Sequence, residues 1–411
     1  MPPLDARVPA LLLRLDRNPF HHGSLGAVRS LGRAGVEVHA FTESDDVPLA
    51  RSRHLAAAHP FPGDPASPDA VARALLAAAR RIGRPAALIP MDDLGALTAA
   101  RIAPRIASAF LLPGAPPDVV EAVADKAALA DLCARHRVPH PRTVVPEGPA
   151  DVTAAVRALG LPLVAKWSRP WLLPPGTGLR STVVVRTAAD ALRLYERAPR
   201  AGSRLLLQRF VRGGPGADWF FHGTFAADGT CLLAGTGRKD LAWPRPAGGT
   251  AVGRWLPNPP LTALARDLAA RLGFRGVVDL DFRRDPAGGA YHLLDFNPRP
   301  GAQFRLFADR SGLDVVRALH LDLTGRRPER PAPARPAGAW RTFVVESHGL
   351  LAALAGARRG ERWWGGRPGG RGETEWAWFA ADDPAPFCAV AGAWARRLVR
   401  RTGRTVGEGD A

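Results

Sequence analysis

The order of apolar and polar positions in the first hundred residues predicts strands that alternate with helices. Apolar runs favour strands and amphipathic runs favour helices, in the order strand, helix, strand, helix, strand, over residues 9–13, 27–34, 36–41, 68–82 and 86–90. This alternation is typical of an open parallel α/β sheet. The sequence therefore predicts an N-terminal α/β domain over residues 1–115.

The pattern after residue 115 predicts two further lobes, which together span residues 116–326. A smaller lobe over about residues 143–207 surrounds the Gly- and Pro-bearing loop PPGTGLRS, and a larger lobe covers about 208–326. Strands connect helices that we expect at residues 116–136, 151–159, 188–197, 261–272 and 313–323.

The C-terminal part differs in composition from the rest of the chain. Residues 327–339 are dense in Pro and Arg, which is typical of a linker. Residues 340–411 form a Trp-rich module, and we expect disorder in the polar tail after Arg396. We interpret the module as a packing cap, and a base-stacking platform is the alternative. Its tryptophans are Trp340, Trp363, Trp364, Trp376 and Trp378.

Composition and charge narrow the class of protein. A chain of 411 residues that is 46% hydrophobic and lacks a spanning apolar run indicates a globular protein of two or three domains. Three scattered cysteines and the absence of a signal-peptide pattern favour the cytoplasm. The net charge of +18 comes from Arg spread along a chain rich in Ala, Gly and Pro. This favours a coding bias over a nucleic-acid-binding surface.

Lysine is rare in this chain and therefore informative. Of 56 basic residues, only Lys126, Lys166 and Lys239 are lysines. A compact ammonium differs chemically from a planar guanidinium, so positions that keep Lys where Arg is the usual cation are candidate functional positions. Chance explains one such lysine more easily than three lysines that share a function.

The sequence predicts a β-hairpin with acidic side chains at its end. Strands VVDLDF and YHLLDF flank the turn DPAGG, so Asp281 is expected opposite residues 293–295. Facing carboxylates repel, which favours a cation between Asp281 and Asp295. With Asn297 they offer only oxygen ligands, which suit Mg²⁺ or Mn²⁺. Such an ion completes its shell with water and phosphate oxygens, and Arg299 would contact the same phosphates. The alternative is an ordinary strand end with surface salt bridges.

These features together resemble the ATP-grasp superfamily over about residues 116–325. Lys126 in ADKAAL resembles the lysine of the family's central domain, and Lys166 in LVAKWS resembles the lysine that approaches the nucleotide phosphates under a mobile lid. PPGTGLRS resembles the lid loop, and Lys239 in TGRKD resembles the cation facing the γ-phosphate. The family's metal ligands and the arginine after them are matched by Asp281, Asp295, Asn297 and Arg299.

The resemblance also implies contacts with ATP. Strand LLLQRFV resembles the hinge strand whose backbone contacts adenine, and Asp218 is a candidate ribose or substrate contact. The hinge residues are Gln208, Arg209, Phe210 and Val211; many members have Glu where this chain has Arg209. The motifs GAVRSLGRAGVEVHAF, IPMDD and DFNPRPGAQFRLF resemble, more narrowly, an uncharacterised bacterial group of predicted ATP-grasp carboxylate–amine ligases.

The resemblance implies an ATP- and Mg²⁺-dependent ligase that activates a small-molecule carboxylate as an acyl phosphate for attack by an amine. Lys239 and Arg299 would stabilise the transferred phosphoryl group. A phosphotransferase acting on a hydroxyl and a non-catalytic nucleotide-binding protein are the alternatives. Neither substrate nor the oligomeric state follows from the sequence. Candidate substrate contacts are His21, His22, Asp92, Asp93 and Glu346.

Overall fold

The computed structural model describes residues 3–214, 216–244, 248–309, 311–328, 341–357 and 373–406. The strands are β1 (Ala10–Leu13), β2 (Val38–Thr42), β3 (Ala57–Pro60), β4 (Ala86–Pro90), β5 (Phe110–Leu111), β6 (Thr143–Val144), β7 (Leu163–Trp167), β8 (Thr182–Val185), β9 (Leu205–Arg209), β10 (Asp218–Phe225), β11 (Cys231–Trp243), β12 (Gly249–Trp255), β13 (Gly276–Arg284), β14 (Tyr291–Asn297), β15 (Arg341–Val344) and β16 (Glu373–Trp376). The α-helices are α1 (His22–Arg33), α2 (Pro68–Ile82), α3 (Asp93–Ile106), α4 (Pro117–Ala124), α5 (Lys126–Arg135), α6 (Pro149–Leu159), α7 (Ala188–Tyr195), α8 (Ala198–Ala201), α9 (Pro259–Arg271), α10 (Val315–Leu323), α11 (Glu346–Ala357) and α12 (Ala385–Val406).

The N-terminal sheet is parallel, as the sequence predicts, with strand order β3-β2-β1-β4-β5. Strand β1 lies at the centre of the sheet and is apolar on both of its faces. Leu12 packs with α1 on one face, and Leu11 and Leu13 pack with α2 and α3 on the other. A strand buried on both faces needs a continuous apolar sequence, which explains the run ALLL in β1.

The small lobe is a four-stranded antiparallel sheet of order β6-β9-β7-β8. Alternate residues of its strands pack against α6 and α7 in a separate core that contains Trp167 and Leu207. We refer to this lobe as the lid. Residues 168–181, which include the Gly- and Pro-bearing loop, connect β7 to β8.

The large sheet has the order β14-β13-β10-β11-β12-β15-β16 and is antiparallel except between β15 and β16. Its central strands pack against α9 on one face, through Val278 and Leu280, and against α10 on the other, through Phe220 and Val277. Strand β12 was not predicted from the sequence, and β11 extends on both sides of Lys239.

The C-terminal residues extend the large sheet and contact the N-terminal domain. Strand β15 pairs with β12, and Trp378 is buried in the core shared with α1, whereas Trp376 is 41% exposed. The other three tryptophans of the module and the segment 329–340 lie outside the described residues. Helix α12 runs to Val406, through the segment after Arg396 for which the sequence suggested disorder.

A buried carboxylate fixes this C-terminal segment to the first helix. Asp383 accepts hydrogen bonds from Arg29 Nε at 2.9 Å and Ser52 Oγ at 2.7 Å. It also accepts one from the backbone nitrogen of Arg53 at 3.0 Å. Asp383 and Arg29 are each 1% exposed. We call these residues the Asp383 clamp.

Two helices differ most from the sequence prediction, each because of a local cap. The predicted helix 116–136 is divided at Asp125, which ends α4 and caps α5 by accepting hydrogen bonds from the nitrogens of Ala127 and Ala128. Helix α1 begins at His22, earlier than predicted, because the side chain of His21 accepts from Ser24 N. In the described part of the chain, no helix is long and apolar enough to span a membrane.

Candidate active site

The predicted hairpin between β13 and β14 is confirmed, with Asp281 directly opposite Asp295 and Asp279 opposite Asn297. The turn closes through Asp285 and Ala290, whose backbone nitrogen and oxygen lie 2.8 Å apart. Gly289 adopts φ +69° there, a conformation that favours glycine. The carboxylates of Asp281 and Asp295 therefore face each other across the hairpin.

Two lysines from different elements meet the Asp295 carboxylate. Lys166, on β7 of the lid, donates to Leu294 O at 2.8 Å, and its Nζ lies 3.3 Å from both oxygens of Asp295. Lys126 Nζ contacts Asp295 Oδ1 directly. Lys126 is the first residue of α5, where a cation is unfavourable beside the positive end of the helix dipole. The contact with Asp295 offsets that cost.

The third lysine lies beside the other carboxylate of the hairpin. Lys239 Nζ on β11 is 4.0 Å from Asp281 Oδ1. Burial raises the pKa of Asp281 to about 6, and Lys239 opposes this shift only in part. Burial also disfavours the charge of Asp295, but Lys126 and Lys166 outweigh it and hold the pKa of Asp295 below its ordinary value. Burial lowers the pKa of Lys166.

A cleft of about 200 Å³ lies between the lid and the large sheet and brings most predicted site residues together. Its lining includes Lys166, Gln208, Arg209, Phe210, Val211, Asp218, Lys239, Asp281 and Asp295. Lys126, Asn297 and Arg299 are outside the lining, and Lys126 reaches it through Asp295.

The hinge end of this cleft contains an ion pair that the sequence did not predict. Asp218 accepts two hydrogen bonds from Arg283, at 2.6 and 2.9 Å, so this candidate ribose contact is already paired. Arg283 also lies over the ring of Phe210, 5.4 Å from its centroid. Gln208 is buried and donates to Thr143 Oγ1 at 3.0 Å, so its side chain joins two strands of the lid.

Asp279 contacts three polar residues at the far end of the hairpin, a role that the sequence did not predict. Asn297 Nδ2 donates to the backbone oxygen of Asp279 at 3.1 Å, and Arg299 Nη1 donates to Asp279 Oδ2 at 2.7 Å. His222 Nε2 is 3.2 Å from Asp279 Oδ1. Gly301 permits this packing, because a Cβ there would lie 2.2 Å from His222 and 2.6 Å from Asp279. Since its amide nitrogen points to Asp279, Asn297 directs its oxygen away from that residue.

The candidate substrate acids divide into structural and site residues. Asp92 caps α3 and accepts from the nitrogens of Leu15 and Asp16, at 2.5 and 2.6 Å, so its role is structural. Glu346 likewise accepts from backbone nitrogens, those of Trp378 and Phe379. Asp93 Oδ1 lies 3.3 Å from Arg299 Nε and so adjoins the site.

The two candidate histidines start α1 and are distinct in their surroundings. His21 Nδ1 is 2.9 Å from Ser24 Oγ, which is consistent with its capping role. The ring of His22 packs against Phe343 and Trp378, with centroids 5.7 and 6.0 Å away. The structure places neither ring in the cleft lining.

The predicted metal ligands fit a magnesium–phosphate group on the chemistry of their donors. Among the described residues, no group of three or more His, Cys, Asp and Glu side chains is arranged to hold a metal. Mg²⁺ needs no such group, since it takes one or two carboxylates and completes its shell with phosphate oxygens and water. Burial raises the pKa of Asp281 and Lys239 opposes this only in part, so a cation beside Asp281 would favour its ionised form.

Comparison with known structures identifies the fold. The chain resembles the biotin carboxylase domain of Hydrogenobacter thermophilus 2-oxoglutarate carboxylase, with TM-score 0.62 and 16% identity over 81% of this chain and 73% of that one. It also resembles N5-carboxyaminoimidazole ribonucleotide synthetase from Thermus thermophilus, with TM-score 0.57 and 16% identity over 79% and 81%. This chain has the ATP-grasp fold. No protein-family model and no curated protein sequence matches it.

A third ATP-grasp structure, biotin carboxylase from Campylobacter jejuni, gives TM-score 0.59 and 15% identity over 79% of this chain and 72% of that chain. At such identities the likeness establishes the fold and leaves the chemistry to the residues themselves. The structure confirms the predicted fold class, an ATP-grasp fold with an N-terminal α/β domain, a lid and a large sheet.

Proposed function

We propose that this protein is an ATP- and Mg²⁺-dependent ligase that joins a small-molecule carboxylate to an amine. The observation that carries the proposal is the convergence of Lys126, Lys166 and Lys239 on Asp281 and Asp295. In a chain where Arg is the usual cation, its three lysines meet at one hairpin. The compared structures support the nucleotide: one was determined with MgADP and bicarbonate, and another as a complex with an ATP analogue.

The chain's own residues bind and orient the nucleotide in this proposal. The hinge, Gln208 to Val211, holds adenine, and Lys126 and Lys166 turn from Asp295 towards the phosphates. A bound Mg²⁺ would be held by Asp281, Asp295 and Asn297, and would neutralise phosphate charge and polarise the γ-phosphoryl group. The lid closes over the cleft and keeps water from the reacting group.

The reaction proceeds by two displacements. A carboxylate oxygen attacks the γ-phosphorus, the bond to the bridging oxygen breaks, and ADP leaves. The amine then attacks the acyl carbon, gives up a proton and displaces inorganic phosphate, which leaves an amide. Lys239 and Arg299 stabilise the negative charge that develops on the transferred group. Arg299 is held for this role by Asp279 and Asp93.

The test is ATP consumption by the purified chain with Mg²⁺ and a pooled set of carboxylic acids and amines. We expect ADP and phosphate in equal amounts, dependent on both an acid and an amine. The Asp295→Ala, Asn297→Ala double variant should lose this activity, whereas Asp267→Asn, a change on the exposed face of α9, should retain it.

Other products contradict the proposal in defined ways. ADP with a phosphorylated product and no free phosphate would indicate a phosphotransferase acting on a hydroxyl. AMP would indicate adenylate chemistry. ATP binding that requires Lys166 but yields no turnover with any acid would favour a nucleotide-binding protein. The absence of ATP binding would exclude the ligase and each of these alternatives.

A further inference from the structure

A second and larger cavity, of about 410 Å³, lies between α3 of the N-terminal domain and the catalytic sheet. This volume is within the range of small-molecule sites. One wall is a face of α3, where residues three and four apart share a side. The opposite wall is apolar, with Phe274, Val277 and Leu319. The helix contributes the alanines Ala96, Ala99, Ala100 and Ala103.

Strand β13 runs from this cavity to the cleft between the lid and the large sheet. Val277 lines the cavity, Asp279 binds Arg299, and Asp281 lines the cleft. These three residues share one face of the strand, since the intervening Val278 and Leu280 pack with α9 on the other face. At about 3.3 Å per residue, the cavity and cleft residues on this face are roughly 13 Å apart along the strand.

Arg299 stands between the two spaces. It lines the cavity, and its Nη1 lies 2.7 Å from Asp279 Oδ2. Asp279 lies on β13 between Val277, which lines the cavity, and Asp281, which lines the cleft. A molecule that occupied the cavity would therefore present its head to Arg299, the residue that the proposed reaction places beside the transferred phosphoryl group.

The charged residues of the lining indicate which head group such a molecule would have. The charged residues that line the cavity are Arg275 and Arg299, and no acid is among the lining residues. Arg275 donates to the backbone oxygens of Ala227 and Phe274, which are neutral and leave its positive charge in place. Asp279 and Asp93, which lie outside the lining, already compensate the charge of Arg299, so Arg275 supplies the positive charge that these acids do not meet. An anionic head is therefore favoured over an ammonium, and the body must be apolar.

We propose that this cavity is the subsite for the apolar body of the substrate acid, which makes the acid an amphiphilic carboxylate such as a medium-chain fatty or aryl-alkyl acid. This inference rests on the proposed function. The acid's chain lies along α3, its carboxylate reaches Arg299, and the γ-phosphoryl group meets it from the Asp281 side. A small acid leaves the cavity unfilled and so binds weakly.

The first test is calorimetric binding of butanoate, hexanoate and octanoate to the full chain, with and without MgADP. We expect the affinity to rise about fourfold for each methylene added, the increment for burying a CH₂ group. The neutral analogue 1-octanol should bind at least tenfold more weakly than octanoate. Affinity that is independent of chain length, or equal affinity for octanol and octanoate, would overturn the proposal.

The second test fills the cavity from α3. Ala100→Leu adds volume at a half-buried lining position and preserves helix propensity, so octanoate affinity should fall tenfold or more. Ala263→Leu makes the same change at an exposed position of α9 and should leave octanoate affinity unchanged. Ala103→Leu, a second filling variant, replaces Ala100→Leu if that variant no longer binds MgADP. Octanoate affinity equal to wild type in a folded filling variant would refute the subsite.

The two proposals fail separately. Octanoate binding that depends on Ala100, without any acid-dependent ADP release, would keep the cavity site and contradict the ligase. ADP release that is equal for acetate and octanoate would keep the ligase and overturn the cavity site.

Discussion

Asp295 and Asp383 are both aspartates held by cations from distant parts of the chain, yet their surroundings differ in charge. Asp383 meets one guanidinium, from Arg29, and its remaining contacts are neutral hydrogen-bond donors. Asp295 meets two ammonium groups, from Lys126 and Lys166. The Asp383 clamp is balanced in charge, whereas the cleft around Asp295 carries a surplus of positive charge.

We interpret the Asp383 clamp as a contact that maintains the fold, and the lysines at Asp295 as part of the nucleotide site proposed above. Arg holds a carboxylate through a rigid planar group, which suits a permanent contact. Lysine is a mobile point charge that can turn from a carboxylate to a phosphate. Surplus positive charge is unfavourable in the free protein and becomes favourable when an anion enters. The chain uses Arg to hold Asp383 and Lys to hold Asp295.

The largest expected effect on stability comes from removing the cation of the clamp. Arg29→Ala leaves Asp383 buried without its counter-charge, so the free energy of unfolding should fall by about 3–5 kcal/mol. Urea denaturation measures it. Replacing both partners, Arg29→Met with Asp383→Leu, should recover much of the loss, since it removes the unpaired charge. A loss below about 1 kcal/mol in the single variant would show that the pair is not structural.

The corresponding change in the cleft should affect activity rather than stability. Lys166→Met should lower the ATP-dependent turnover by about 10²–10³-fold, the usual cost of a lost electrostatic contact in the transition state. Its free energy of unfolding should change by less than about 1 kcal/mol, because Lys126 still compensates Asp295. If Lys166→Met destabilised the protein as much as Arg29→Ala, the two carboxylates would have the same role and the comparison would be wrong.

Acid should lower the stability of the large sheet through His222. Burial lowers the pKa of His222 to about 3, so the unfolded chain, with an ordinary value of 6.5, takes up the proton first. Stability is therefore unaffected above about pH 6.5 and declines as the pH falls below it, by about 1.4 kcal/mol from this residue at pH 5.5. Denaturant titrations at pH 7.5 and 5.5 measure the decline, and His222→Gln should reduce it by that amount. An unchanged decline in the variant would contradict this assignment.

The smallest expected effect is at Asp382, next to the clamp residue. Asp382 pairs with Arg33 at 2.6 Å, and both side chains are more than a third exposed. Exposed pairs contribute little, so Asp382→Asn should cost at most about 1 kcal/mol of unfolding free energy. Asp383→Asn is the matched change one residue later and should cost more. Equal losses would indicate that burial does not distinguish the two pairs.

Local sequence signals predicted the parts of the fold that depend on neighbouring residues. The bounds of α2 follow from Ser67, whose side chain caps the helix, and from Gly83 in a left-handed conformation at its end. The facing of Asp281 and Asp295 follows from the turn DPAGG. These features need no knowledge of distant segments, and they include the core of the candidate site.

Contacts between distant segments were beyond the sequence. Asp125, which caps α5, also accepts a hydrogen bond from Arg169 Nε at 2.7 Å, 44 residues later, and no local pattern indicates this contact. Nothing near Lys126 indicates that it meets Asp295, 169 residues later. Arg299 is matched to Asp93 and Asp279 only when three elements converge. The pairing of Asp218 with Arg283 likewise depends on the register of β10 with β13.

The Asp383 clamp has a consequence for the order of synthesis. Its two ionic partners are 354 residues apart. At about 5–20 residues per second, a ribosome produces Asp383 roughly 20–70 s after Arg29. During that interval the N-terminal sheet can form, but Arg29 has no carboxylate partner from the clamp, and β12 has no β15 beside it. The newly made chain therefore exposes the edge of β12 and the unmatched cation of Arg29 until the segment with β15 and Asp383 emerges. A chain truncated before β15 would remain in that incomplete state.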